Sequence, residues 1–306
     1  MLDSTVMWAG FLALVAILLA LDLGVLNRGS KHIDTRKALL LSAFWISIGL
    51  AFSMFVYVEM GPDKTMEYLA AYVVEKAMSV DNLFVFILIF SCFCIPDDYQ
   101  HKALFYGIIG ALFFRAVFIF AGVELLTRFH FVLYIFGAFL IYAAIKTMTK
   151  KPETCETNSV VAWVSKHVRS SPYLDGDRFF TVMNGAKVAT PMLLCVIAIE
   201  LTDIVFALDS IPAVLAITTD TFIVYTSNIF AILGLRSLYF AIRGSLNSLA
   251  YLKYGLGVIL AFVGVKMIVS EYVHIDVVSS LAFIGAVLLV TIAMSLSLNR
   301  RKASGQ

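Results

Sequence analysis

Two stretches place carboxylates where a lipid-crossing helix would carry leucine: EKAMSVDNLFVF (75–86) and ELTDIVFALDSIPAV (200–214). The first holds Glu75, Lys76, Asp81 and Asn82; the second holds Glu200, Asp203 and Asp209. Asp22, in LALDLGVL, adds a further acid, and Arg115 and Arg236 lie in similarly apolar runs. At roughly 2.5–3.5 kcal/mol each, these six acids in ionised form would oppose insertion by about 15–20 kcal/mol, so ionisable groups at such depth mark ion pathways. Six acids against two arginines leave a surplus of −4, or −3 if Lys76 turns into the bundle. That surplus suits one divalent cation with one or two acids protonated. The candidate ligands Glu75, Asp81, Asp203, Asp209, Glu200, Asp22 and Asn82, with Ser79, Ser210, Thr202 and backbone carbonyls, all present oxygen. Oxygen favours hard ions such as Mg2+, Ca2+ and Mn2+. The five histidines lie near span ends or in loops, so a zinc or copper site is not expected.

Helix geometry limits how these groups converge. Glu200 and Asp203 share a face, as do Glu75, Ser79 and Asn82. Glu75 and Asp81 stand about 120° apart around a helix and roughly 9 Å along it, so an unbroken helix cannot aim both at one ion. Pro212 removes a hydrogen bond to the carbonyl of Leu208, and a kink there would turn Asp209 inward. Arg115, Arg236 and Lys76 are expected as counter-ions of the acids.

The chain that must position these groups is 61% hydrophobic and 14% charged. It reads as all-α, a polytopic membrane protein of nine spans near 6–26, 38–58, 68–92, 103–125, 131–148, 191–217, 222–241, 254–270 and 277–298. No Lys or Arg precedes the first apolar run, so that run reads as a retained helix rather than a secretory signal. Arg28, Lys31, Arg36, Lys37, Lys150, Lys151, Lys166, Arg169, Arg178, Lys187, Arg243, Lys253, Arg300, Arg301 and Lys302 fall in alternate loops or the tail. By the positive-inside rule this puts the N-terminus outside and the C-terminus in the cytoplasm. The loop 150–189 is the sizeable soluble segment, with Asn184-Gly185 signalling a small hairpin. The four cysteines show no disulfide spacing and face the cytoplasm in this topology, where thiols stay reduced.

The sequence also repeats. SVDNLFVF (79–86) aligns with ALDSIPAV (207–214), IIGALFFRAVF (108–118) with IFAILGLRSLY (229–239), and YIFGAFLIYAAIK (134–146) with YGLGVILAFVGVK (254–266). Glu75 thereby falls on Asp203, Asp81 on Asp209, Arg115 on Arg236 and Lys146 on Lys266. Each copy covers three spans, an odd number, so the second must be inverted, an architecture of secondary transporters. The chain divides into two N-terminal helices (1–64), repeat 1 (65–149), the loop (150–189), repeat 2 (190–272) and a final helix with its tail (273–306). No GxGxxG, Walker loop, HExxH or nucleophile elbow is present, so no enzymatic activity, cofactor or nucleic-acid partner is expected.

These stretches, with TSNIFAILGLRSLYF and YLKYGLGVILAFVGVKM, resemble the TerC family of integral membrane proteins, in particular its Alx-like members, within the wider LysE-type exporter superfamily. The likeness runs over roughly residues 8 to 298. It implies export of manganese from the cytoplasm across a bacterial inner membrane, with the family's intramembrane acids falling on Glu75, Asp81, Glu200, Asp203, Asp209 and Asp22. The sequence chemistry itself leaves Mg2+ and Ca2+ open. Two other functions fit the same acids: a membrane assembly or metallation factor acting with the secretion machinery, and a pH- or redox-linked membrane sensor. The bilayer and a divalent ion are the expected partners.

Overall fold

The computed structural model describes residues 3–24, 35–129, 131–149, 154–155, 158–183, 185–243, 252–270, 272–273 and 275–304. Arg28, Lys31, Lys150, Lys151 and Asn184 lie outside these, as do the side chains of Asp81, Arg300, Arg301 and Lys302. The chain is mostly helical: α1 (Ser4–Gly24), α2 (Thr35–Met60), α3 (Pro62–Cys92), α4 (Asp97–Arg128) and α5 (Val132–Thr149) precede a short α6 (Ser159–His167). Strands β1 (Phe180–Met183) and β2 (Ala186–Ala189) follow, then α7 (Pro191–Leu215), α8 (Thr221–Ile232), α9 (Leu235–Ile242), α10 (Leu252–Val269) and α11 (Val277–Ser304).

Among the described residues, seven stretches are long and apolar enough to cross a bilayer, and α8 with α9 counts as one of them. Neither α3 nor α10 is among the seven. Helix α3 carries Glu75, Lys76 and Asp81 inside its apolar stretch, and α10 is bounded by Lys253 and Lys266. Outward faces present large apolar side chains such as Leu40, Met54, Val58, Phe113 and Leu289. That is the pattern of helices solvated by lipid rather than water.

Proline at the first helical position starts both α3 and α7, where the missing N–H costs nothing. Pro212 does not end the helix. Helix α7 continues through Pro212 to Leu215, because the proline falls in the last turn and leaves only one hydrogen bond unmade. The interruption lies instead at Leu233–Gly234, between α8 and α9, where Gly234 adopts φ +80°. A side chain there would need both a left-handed backbone and space that Trp45 occupies: a Cβ on Gly234 would sit 2.4 Å from the Trp45 Cβ.

Helix α3 packs on α8 and α7, α4 packs on α7, and α5 packs along α10. The last pair approaches closely at two places. A Cβ on Gly137 would lie 2.9 Å from the Gly264 carbonyl oxygen, and one on Gly257 would lie 3.3 Å from that of Ala144.

Strands β1 and β2 form an antiparallel hairpin with Phe180 opposite Ala189 and Met183 opposite Ala186. Gly185 has φ +77° there. Lys102 at the start of α4 donates to the carbonyl and carboxylate of Asp177 at 2.8 and 2.9 Å, tying the loop to the bundle. The amphipathic α6, N-capped by Asn158, buries Val161 and Val164 in the same core as Phe90, Leu104 and Met192. This end of the bundle is called the hairpin face below.

The expectation of four reduced cysteines is overturned: Cys92 at the end of α3 is disulfide-bonded to Cys155. At a sequence separation of 63, no local spacing could signal the bond. Folding of the loop back onto the hairpin face brings them together. Cys94 is free and exposed, and Cys195 is free and buried.

Candidate functional site

Three fully or nearly buried charges meet where α3, α4 and α7 converge. Glu75, Arg115 and Asp203 are 0%, 1% and 5% exposed, so their charges are compensated by one another rather than by solvent. Arg115 Nη1 donates to Glu75 Oε2 at 2.8 Å, while Nε and Nη2 form a two-pronged contact with the Asp203 carboxylate at 3.3 Å each. Nη1 also reaches Ser210 Oγ at 3.4 Å. The other oxygen of Glu75 accepts from Asn228 Nδ2 of α8 at 2.7 Å. Asn228 is fully buried, and its own Oδ1 has no hydrogen-bond partner among the described residues.

A narrow cavity lies on the hairpin side of this cluster. Ser79 and Asn82 of α3, Gly107 and Arg115 of α4, Asp203 of α7 and Leu235 of α9 help line it. Beyond it, at the hairpin face itself, a wider cavity of about 260 Å³ is bordered by Cys94, Asp97, Gln100, Tyr239 and Arg243. Tyr239 and Arg243 of α9 both donate to Gln100 Oε1, at 2.7 and 3.1 Å, and Arg243 also pairs with Asp97 at 2.5 Å. The opposite end is fastened differently: Lys64 lies 2.7 Å from Glu67 and 3.8 Å from Asp220, and Thr218 donates to Glu67 at 2.5 Å.

The remaining residues singled out from the sequence are distributed around this centre. Arg236, 1% exposed, pairs with Asp22 at 2.8 Å and donates to the Asp22 carbonyl at 2.8 Å. Among the described residues Lys76, expected as a counter-ion, contacts carbonyls rather than a carboxylate. Its Nζ donates to the carbonyls of Ala231 and Leu233 at 2.9 and 3.4 Å, where α8 ends and its last carbonyls lack helical partners. Glu200 is half-buried against α4: a Cβ on Gly110 would lie 2.0 Å from its carboxylate oxygens, and Oε2 has no hydrogen-bond partner among the described residues. Asp209 is half-buried on α7, and Asn82 lines the narrow cavity. Asp81 lies on the unbroken α3, its side chain outside those described.

Among the described residues, no three His, Cys, Asp or Glu stand close enough to hold a metal ion. The guanidinium of Arg115 instead lies between Glu75 and Asp203, where a cation bridging them would sit. Asn228 was missed in the sequence, although an amide in the middle of the apolar run TSNIFAIL is itself a signal of a buried polar contact.

The model of the integral membrane protein TerC family matches residues 60–303. The chain belongs to the TerC family. An uncharacterized membrane protein of Myxococcus xanthus, STKORF319, is 46% identical over 96% of this chain and 93% of its own. Proteins named "Putative membrane-bound redox modulator Alx" are 39% identical, with 98% of this chain and 98% of the relative covered in Photorhabdus laumondii. The corresponding shares in Escherichia coli K12 are 97% and 96%. No solved structure matches the chain.

Proposed function

We propose that this TerC-family protein is a secondary transporter that exports Mn2+ through the carboxylates around Arg115. The observation that carries the reading is the buried Glu75–Arg115–Asp203 cluster, which joins the two sequence repeats and forms the end of a cavity. A bundle stabilised only by packing gains nothing from such a cluster, because the desolvation of buried ions rivals their attraction. An ion carrier requires it: the acids must be desolvated to strip water from the cargo and must be neutralised when empty. Arg115 serves as that neutralising cation, and Mn2+ entering from the cytoplasm displaces it. Glu75, Asp203 and Asn82 supply oxygen to the ion at the cluster, Asp81 and Asp209 take it up at successive positions along its path, and Glu200 recruits it from the cytoplasmic side. Manganese is the ion that the family resemblance implies; an all-oxygen donor set is compatible with it.

The reading includes nine spans, with α3 and α10 added to the seven, and α3–α5 and α7–α10 as inverted repeats. The packing supports this. Exchanging the triplets turns the α3–α8 contact into α7–α4 and maps α5–α10 onto itself. The close approach of Gly137 to Gly264 becomes that of Gly257 to Ala144, the second one observed. The hairpin face is then cytoplasmic and the membrane is the bacterial inner membrane.

Uptake of Mn2+ into proteoliposomes tests the reading, with Mg2+, Ca2+ and Zn2+ as competitors. Wild-type flux that disappears in Glu75→Gln and Asp203→Asn is expected; folded wild-type protein with no flux under any pH gradient would sink the proposal.

A second reading takes its support from the cysteines and from the name of the relatives. Cys94 is exposed and stands two residues from the Cys92–Cys155 disulfide. Attack of a Cys94 thiolate on Cys155 would form a Cys94–Cys155 bond and release Cys92 as thiolate, with no change in total oxidation. The protein would then act as a thiol-redox modulator. Its test is the redox phenotype of Cys94→Ser, which this reading requires to be lost while Mn2+ flux persists.

A further inference from the structure

Arg236 poses a problem that its ion pair with Asp22 does not solve. Among the described residues only Nη2 is engaged, while Nε and Nη1 are buried and have no hydrogen-bond partner there. A guanidinium offers five donors in a rigid fork, and leaving buried donors unpaired is costly. A buried group in this state calls for an explanation, and a second position for it to occupy supplies one.

The sequence repeat indicates that position. It equates Arg236 with Arg115 and Asp203 with Glu75. Applied to the observed contacts, the exchange turns Arg115–Glu75 into Arg236–Asp203 and Arg115–Asp203 into Arg236–Glu75. Depth agrees with it. Arg115 lies about 27 Å along α4 from Asp97, and Arg236 about 22 Å along α8 and α9 from Thr221, with the two helices entering from opposite faces. Glu75 and Asp203 lie between them, about 20 and 18 Å into α3 and α7. Each arginine therefore stands on its own side of the acids, Arg236 on the side of the narrow cavity.

The means of movement is also present. Arg236 is near the start of α9, a helix of 8 residues separated from α8 by Gly234 at φ +80°. Lys76 fixes the end of α8, so the break lets α9 turn without carrying α8 along. At its far end α9 is fastened to α4 through Tyr239, Arg243, Gln100 and Asp97.

We propose that Arg236 is a second positioning arginine: when the carrier reverses, α9 swings Arg236 from Asp22 onto Asp203 and Glu75, closing the hairpin side as Arg115 withdraws. The two arginines neutralise the empty acids in turn, one in each orientation. A bound divalent ion makes this unnecessary, so Arg236 is required for return of the empty carrier and not for exchange of loaded carriers. The inference rests on the transporter reading above.

The test compares net Mn2+ flux with Mn2+/Mn2+ exchange in proteoliposomes, using Arg236→Gln, with Arg236→Gln/Asp22→Asn as the control for the charge left on Asp22. That pair removes both charges and leaves neither partner uncompensated. Net flux should fall by about tenfold or more because the empty acids lose their counter-charge, while exchange stays within about threefold of wild type. Arg236→Lys should restore part of the net flux in the presence of Asp22. Net flux and exchange that survive together, or fall together, would reduce Arg236 to the structural partner of Asp22. Absence of wild-type flux and exchange would overturn the transporter reading and this inference with it, an outcome distinct from the other two.

Discussion

Arg115 is the residue on which the centre depends, since it compensates two almost entirely buried carboxylates. Arg115→Met should cost about 3–5 kcal/mol by leaving Glu75 and Asp203 as uncompensated buried charges. Thermal unfolding in detergent would measure the loss. If Mn2+ takes the place of the guanidinium, the ion should raise the melting temperature of the variant more than that of wild type. Equal shifts would separate Arg115 from the cargo site. Asn228→Leu removes one charge-assisted hydrogen bond to Glu75 and should cost about 1.5–3 kcal/mol in the same measurement. Such dependencies arise from side chains far apart in the chain: Glu75 and Asn228 are conspicuous in apolar sequence, yet nothing along the chain shows that they touch.

At the scale of elements, the break at Gly234 and the tether of the hairpin invite separate tests. Gly234→Ala combines a left-handed backbone with a clash against Trp45, and should destabilise by about 1–3 kcal/mol or more. A melting temperature unchanged in this variant would show that Trp45 and the α8–α9 junction adjust freely. The Lys102–Asp177 contact should respond to pH. The hydrogen bond from Lys102 holds the Asp177 carboxyl below the usual carboxylate range. A carboxyl lowered in the folded state stabilises docking above its free pKa, and that contribution is lost as pH falls through the lowered value. Hydrogen exchange of the hairpin amides should therefore accelerate at acid pH in wild type and show a smaller acid-dependent change in Asp177→Asn. Here the sequence was informative about existence and poor about junctions. The apolar runs located helices, and Asn184-Gly185 located the hairpin. Pro212, the strongest local breaker, was overridden by its place in the last turn of α7. Gly234, an ordinary residue in an apolar run, became the break because Trp45 from α2 packs against it.

For the whole molecule, the Cys92–Cys155 bond ties the end of α3 to the segment before α6 across 63 residues. Reduction should lower stability by at most about 4 kcal/mol, since the denatured chain in detergent is already less free than a random coil. Thermal unfolding with and without reductant, using Cys92→Ser/Cys155→Ser as the reduced reference, would establish the value. The amino-acid sequence by itself determined that the chain is a multi-helix membrane protein, that acids fall within its apolar runs, and that charged and small residues recur at matching positions of two segments. Those are consequences of composition, hydropathy and spacing, which are properties of the chain alone. Tertiary structure decided that Arg115 joins Glu75 to Asp203, that Lys76 serves the end of α8, that Arg236 turns to Asp22, and that two cysteines are bonded. A buried charge must find its compensation among whatever groups packing brings within about 3–4 Å, and for these residues the partners come from other helices and distant loops.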